Sequence, residues 1–127
     1  MRRPASTHIE VQPKDLFGIM NELFKLKKRI SRSSEAEALG KYVYKVTQKV
    51  EDMGLYYEDP SGEAWDDTRT DCEASIAGES GDDLVITDVM KPIIRLRSEG
   101  FTRVVQKGVV IVESRETKEE QNNGSDD

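Results

Sequence analysis

The residues best suited to chemistry lie in an acidic stretch at the middle of this 127-residue chain. Its five carboxylates surround the only tryptophan: Glu63, Asp66, Asp67, Asp71 and Glu73. Carboxylate clusters can bind Ca²⁺ or Mg²⁺, and a pair of carboxylates can act as general acid and base. The spacing of an EF-hand is absent, and no oxyanion donor or apolar pocket is identifiable around these residues. We therefore expect no metal, no cofactor and no enzymatic activity.

The single cysteine and the single histidine are the other side chains with reactive potential. Cys72 belongs to a segment, Thr70 to Ala77, in which apolar and polar residues alternate, and this pattern predicts a strand with Cys72 on its buried side. A buried cysteine is more often a core residue than a nucleophile. His8 lies in a stretch without periodicity and has no neighbour at metal-ligand spacing, so we interpret it as a solvated residue.

Composition and charge limit the classes of partner. Hydrophobic residues make up 35% of the chain and charged residues another 35%, which favours a modest core plus an inter-chain surface. The net charge is -6, although the first 34 residues carry eight basic against three acidic residues. The acidic remainder argues against nucleic acid as a partner. With one cysteine, no signal peptide and no apolar run of about 18 residues, we expect a cytoplasmic protein without a membrane partner.

Two amphipathic helices are predicted in the first half of the chain. The first begins at Pro13, and one of its faces carries apolar residues at spacings of three, four or seven. We expect this face to mediate dimerisation or packing: Leu16, Met20, Leu23, Phe24 and Ile30. A capping box at Ser34 and Glu37 predicts the start of the second helix, which ends near Met53 with Gly54 as the C-cap glycine. The pattern is compatible both with an antiparallel pair and with one longer broken helix.

The second half of the chain is predicted to be β structure. Leu84 to Glu113 contains three runs of β-branched residues, with Pro92 between the first two and Gly108 inside the third. A shorter strand is predicted at Leu55 to Tyr57, before a strong turn signal. The fold class is therefore α+β: N-terminal amphipathic helices followed by a small, irregular sheet or partly open barrel of short strands.

These patterns divide the chain into four parts. We expect a flexible arm over residues 1–12, a helical region over 13–54 and a small β domain over 55–114. Residues 115–127 contain no aliphatic or aromatic side chain and are rich in Glu, Asn and Asp, so a disordered acidic tail is predicted there.

Three short motifs in the β segment carry a family resemblance: Val85–Lys91, Gly100–Gln106 and Val109–Val112. In this order, after a helix that ends at a glycine, they resemble the GrpE family, the nucleotide exchange factors of DnaK-type chaperones. Met90 and Lys91 match the family's corner after a hydrophobic strand, and Arg103 matches the arginine of its Gly-Arg turn.

The chain also departs from the family pattern. Pro92 stands where the family usually has glycine, and Gln106 stands where a second basic residue is common. The long helix that pairs two GrpE chains is much shorter here. These differences bear on the details of the partner contact and on the architecture of a dimer.

The resemblance implies a co-chaperone in protein folding that has no chemistry of its own. Such a protein forms a homodimer, and its β domain binds the ATPase domain of a DnaK-type chaperone and opens the nucleotide cleft so that ADP leaves. The residues implied for this contact are four at motif positions and two expected exposed neighbours: Met90, Lys91, Arg103 and Gln106, then Arg95 and Arg97.

The basic end of the first helix offers an alternative function. Lys25 to Arg32 contains five basic residues, a pattern typical of a solvated helix face or of a surface for acidic partners. In the alternative, the protein is a non-enzymatic helical scaffold that docks an acidic protein through this segment.

Overall fold

The computed structural model describes residues 10–78 and 81–115 of the chain. Its order of elements confirms the α+β prediction, with two helices first and seven strands after them. The helices are α1 (Pro13–Ile30) and α2 (Ala36–Asp52). The strands are β1 (Leu55–Glu58), β2 (Ala64–Trp65), β3 (Cys72–Ile76), β4 (Leu84–Lys91), β5 (Ile93–Ser98), β6 (Phe101–Gln106) and β7 (Gly108–Ser114). His8, most of the predicted arm and the predicted tail from residue 116 lie outside the described residues.

The two helices form an antiparallel pair joined by a short turn, which settles the question that the sequence left open. Pro13 at the start of α1 lies in one groove with Met53 after α2, and Ile30 at the end of α1 lies near Ala36 at the start of α2, so the helices run in opposite directions. The predicted capping box is wrong, because α2 begins at Ala36 and its first turn has no side-chain cap. Instead, the Ser33 hydroxyl accepts a hydrogen bond from the backbone N–H of Glu35 at 3.0 Å, inside the turn.

Gly54 ends the second helix, as predicted, and also joins it to the sheet. Its φ of +90° lies in the left-handed region that favours glycine. Its N–H donates to the carbonyl of Glu51 at 2.8 Å, and its own carbonyl accepts from the N–H of Arg97 in β5 at 2.8 Å. Gly54 therefore ends α2, directly precedes β1 and is hydrogen-bonded to β5.

The strands form two sheets where the sequence suggested one irregular sheet or open barrel. The three-stranded sheet has the order β1-β5-β6 and is antiparallel throughout. The four-stranded sheet has the order β2-β4-β7-β3, in which β3 runs parallel to β7. Strand β4 is irregular at two points along β7, after Ile86 and after Val89. Pro92 separates β4 from β5, as predicted.

The core consists of two hydrophobic clusters that share α1 and β5. Phe24 and Ile93 belong to the cluster against the four-stranded sheet, whereas Met20 and Ile94 belong to the cluster beneath α2 and β1. Ile93 and Ile94 enter different clusters because successive side chains of a strand point to opposite faces.

The apolar face of α1 that was predicted for dimerisation is largely used within the chain. Met20, Leu23 and Phe24 are buried, and Leu16 and Ile30 are half-buried. Phe24 also packs edge-to-face on Tyr57, with the ring centroids 6.0 Å apart. The fully buried members of this face, Met20 and Phe24, are therefore not available for a dimer contact. Neither α1 nor α2 is apolar enough over its length to cross a lipid bilayer.

Candidate partner-binding surface

The acidic stretch is engaged in local structure. Asp66 caps its own turn, because its carboxylate accepts hydrogen bonds from the N–H of Thr68 at 2.8 Å and from the Thr68 hydroxyl. These bonds lower the pKa of Asp66. Within residues 10–78 and 81–115, no group of three or more His, Cys, Asp or Glu side chains is placed to hold a metal ion.

Asp71 is the centre of an ionic network between the two sheets. Its carboxylate accepts from Arg69 Nε at 2.6 Å and from Arg95 Nη2 of β5 at 3.3 Å. Arg69 also pairs with Glu63 at 2.9 Å, and Arg95 pairs with Glu58 of β1. The hydrogen bonds from Arg69 hold the pKa of Asp71 below its ordinary value, while the same contact raises the pKa of Arg69. These ion pairs connect the loop before β3 to β1 and β5, and we call them the Asp71 network.

Cys72 is buried, as predicted, in the larger cluster beneath the four-stranded sheet. Burial raises the pKa of its thiol to about 11, and the adjacent Asp71 carboxylate acts in the same direction. A raised pKa and a buried sulfur both oppose thiolate chemistry.

We expect the Cys72 thiol to react with a maleimide at pH 8 more than about a hundredfold more slowly in the folded protein than in urea, because little thiolate forms. Mass spectrometry of timed samples measures this rate. A folded protein that is labelled as fast as the urea-unfolded chain would contradict the placement of Cys72.

Met90 and Lys91 lie at the end of β4 and are both exposed. The register shift after Val89 leaves Met90 without a partner residue in β7, and such irregularities re-aim side chains. Close by, Lys28 Nζ of α1 donates to the carbonyl of Val89 at 3.2 Å and lies 3.6 Å from the Asp88 carboxylate. The helix thus supports the strand end that presents Met90.

Arg95 and Arg97 differ from the expectation that both are exposed neighbours. Arg95 is half-buried and committed to the Asp71 network. Arg97 is exposed, and its guanidinium lies 4.6 Å from the centre of the Tyr56 ring. The prediction of an exposed Arg95 is therefore wrong, because its strand position faces the loop that carries Asp71.

Gln106 is held by internal hydrogen bonds. Its side-chain amide donates to Asn21 Oδ1 at 2.8 Å and to the carbonyl of Pro92 at 3.1 Å, and its oxygen accepts from Asn21 Nδ2 at 3.1 Å. The side chain fastens α1 to the start of β5. Neither Asn21 nor this bond was anticipated, since two amides 85 residues apart leave no local signal.

Arg103 is exposed at the border of an apolar groove. It lies opposite Leu96 in the register of β5 and β6, and the same groove reaches the start of α1 and the end of α2. The cavity has a volume of about 230 Å³ and seven other lining residues: Pro13, Leu16, Phe17, Met53, Leu55, Leu96 and Val105. Within residues 10–78 and 81–115, Arg103 has no carboxylate within ion-pair distance.

The six residues implied by the resemblance do not form one patch. Arg97 lies opposite Thr102, and Arg103 lies opposite Leu96, so the two arginines point to opposite faces of the sheet. With Arg95 and Gln106 used internally, the available candidates are Met90, Lys91, Arg97 and Arg103.

No protein-family model, no curated protein and no solved structure matches this chain. A functional proposal for it therefore depends on its own residues and their geometry.

The basic end of α1 is also partly committed. Lys25 pairs with Glu22 at 3.4 Å, and Lys28 is tied to β4. Lys27 lies 6.0 Å from the centre of the Tyr57 ring, which leaves Arg29 and Arg32 as the cations of the segment that are exposed and have no such contact among the described residues. Fewer cations of this helix are therefore free to bind an acidic partner than the sequence suggested.

Proposed function

We propose that this protein is a GrpE-like nucleotide exchange factor that binds the ATPase domain of a DnaK-type chaperone and promotes release of ADP. It acts without chemistry of its own. The observation that carries the proposal is the exposure of Met90, Lys91 and Arg103, three positions implied by the resemblance, on the β region. Neither Lys91 nor Arg103 is ion-paired within the described residues.

The mechanism is a shift between two states of the partner. A binding protein can open a nucleotide cleft only if it binds the open ATPase domain more tightly than the closed one. Strands β4, β5 and β6 carry the contact residues and are each paired with a neighbouring strand, so little backbone entropy is lost when the complex forms. A rigid surface of this kind favours selection of one state of the partner.

We further propose that the protein is a homodimer, through a helix face that overlaps the predicted one only at Leu23 and Ile30. An apolar groove runs between α1 and α2, lined by Leu23, Leu26, Ile30, Leu39, Tyr42, Val43 and Val46. Leu26, Tyr42 and Val46 are roughly half exposed there, and Ile19 extends the strip along α1. A second copy of the helix pair would bury these side chains in a bundle.

The decisive experiment measures release of a fluorescent ADP analogue from a DnaK-type ATPase domain with and without this protein. We expect acceleration, and we expect Arg103→Glu to weaken it about tenfold or more, because a reversed charge in a complementary interface is repelled. Arg32→Glu is the matched control: Arg32 is also exposed and unpaired among the described residues, but it lies in the turn between the helices.

The outcomes separate the two functions. Acceleration that Arg103→Glu abolishes and Arg32→Glu leaves intact supports the exchange factor. No acceleration by the folded wild-type protein rules out this function for that chaperone. Salt-sensitive binding of an acidic protein that only Arg32→Glu weakens would favour the helical scaffold, since exposed charges are screened beyond about 8–10 Å at physiological ionic strength.

A further inference from the structure

The β5–β6 hairpin ends in an exposed tip formed by residues 97–103, all seven of which are exposed. The turn itself has only two residues, Glu99 and Gly100, with φ angles of 50° and 84°. Two consecutive left-handed residues are typical of the tight hairpin turn whose twist matches that of its strands. Ser98 pairs with Phe101, so the strands stay in register up to the turn. The hairpin tip is therefore short and fixed in direction.

Phe101 is the most unusual residue of the hairpin tip. Its side chain is 78% exposed, more than any other large hydrophobic side chain of the described residues. The residue opposite it is Ser98, which offers no apolar surface, and Phe101 belongs to neither hydrophobic cluster. An aromatic ring that contributes nothing to the core, held on a rigid turn, is typical of a binding anchor.

Two arginines lie near Phe101, one on each face of the hairpin. Arg103 lies two residues from Phe101 on the same face, above the apolar groove, whereas Arg97 lies on the other face. Stacking on Tyr56 orients the Arg97 guanidinium. Neither Arg97 nor Arg103 pairs with a carboxylate of the described residues. The chemistry that fits the hairpin tip is an apolar pocket bordered by carboxylates.

We propose that the hairpin tip inserts into the protein partner, with Phe101 in an apolar pocket of the ATPase domain and Arg97 and Arg103 paired with carboxylates at its border. This inference rests on the proposed function for the identity of the partner. It assigns the largest share of the contact to Phe101, which is not among the six contact residues implied by the resemblance.

The first test is photo-crosslinking with benzoylphenylalanine at position 101, using the full chain and a DnaK-type ATPase domain. Ile76 of β3 supplies the control position, since it is also a large apolar side chain exposed on a strand, at 48%. We expect crosslinks to the ATPase domain from position 101 and none from position 76. The second test compares affinities: Phe101→Ala is expected to weaken binding about tenfold or more, and Ile76→Ala less than about twofold.

The outcomes distinguish this inference from the proposed function. A crosslink from position 101 without accelerated ADP release supports the inserted hairpin and contradicts the exchange activity. Accelerated release that Phe101→Ala leaves unchanged, without a crosslink, supports the exchange activity and overturns the insertion. Phe101-dependent binding to phosphatidylserine vesicles but not to the ATPase domain, or no binding to either, also overturns it. Equal unfolding midpoints of the two alanine variants and wild type show that the fold is intact.

Discussion

Gly54→Ala is expected to lower the free energy of unfolding by about 2–5 kcal/mol, the sum of a left-handed backbone penalty and a steric clash. The backbone at Gly54 has a φ of +90°, which a residue with a Cβ adopts at a cost. That Cβ would also lie 2.7 Å from the carbonyl oxygen of Arg97, a backbone atom that cannot rotate away. Urea unfolding followed by circular dichroism measures the loss.

Gly62→Ala is the matched control for this prediction. Gly62 has a similar φ of 85°, but nothing lies within 4 Å of the place where a Cβ would stand. We expect Gly62→Ala to lower the free energy of unfolding only by the left-handed backbone penalty, about 1–2 kcal/mol. The difference between the two variants therefore reports the close approach of the helix end to β5. Equal losses would mean that Gly54 and Arg97 are farther apart than described.

Asp71→Ala is expected to lower the free energy of unfolding by about 2–4 kcal/mol, because it leaves two guanidinium groups without their shared acceptor. The side chains of Asp71 and Arg69 are only 19% and 18% exposed, and that of Arg95 is 27% exposed. Glu22→Ala is the control, since it removes the exposed partner of Lys25 and should cost at most about 1 kcal/mol. Similar losses for the two variants would contradict a special role for the Asp71 network.

The same variant should change the pH dependence of stability. The pKa of Asp71 is lowered in the folded state, so its contribution is fully present above the unfolded pKa of about 3.9 and is lost as the pH falls through the lower folded pKa. We expect the free energies of unfolding of the wild-type protein and Asp71→Ala to differ by a constant amount above about pH 5. This difference is expected to shrink below about pH 4. A difference that stays constant down to pH 2 would exclude this assignment.

The Gly54 and Asp71 predictions both concern contacts between secondary-structure elements. Both also bear on the proposed contact with the ATPase domain. Gly54 ties α2 to the strand that carries Arg97, and the Asp71 network ties the same strand to the loop before β3. Disrupting either contact removes one of the attachments that position β5, the strand that leads into the hairpin tip. An exchange factor that selects one state of its partner needs that surface to stay in place.

Local patterns in the sequence predicted most of the elements, but not β2, and not the division of the third β run into β6 and β7, which belong to different sheets. The two helices, the glycine at the end of α2 and the proline between β4 and β5 all follow from rules that act within a few residues, since periodicity and backbone restriction are local. The burial of Cys72 was predictable for the same reason, from alternation along one strand. The capping box at Ser34 failed because a competing turn centred on Ser33 lies next to it.

Long-range contacts decided how these elements are used, because they join residues far apart in sequence. An apolar face on α1 has the same sequence pattern whether it packs on a partner or on the chain's own sheets. The burial of Met20 and Phe24 in the two core clusters shows that it packs within the chain. Likewise Arg95 and Gln106 look available in the sequence, yet Asp71 and Asn21 bind them. The local sequence thus determined most of the elements, whereas the tertiary structure decided which side chains are engaged within the chain and which remain exposed.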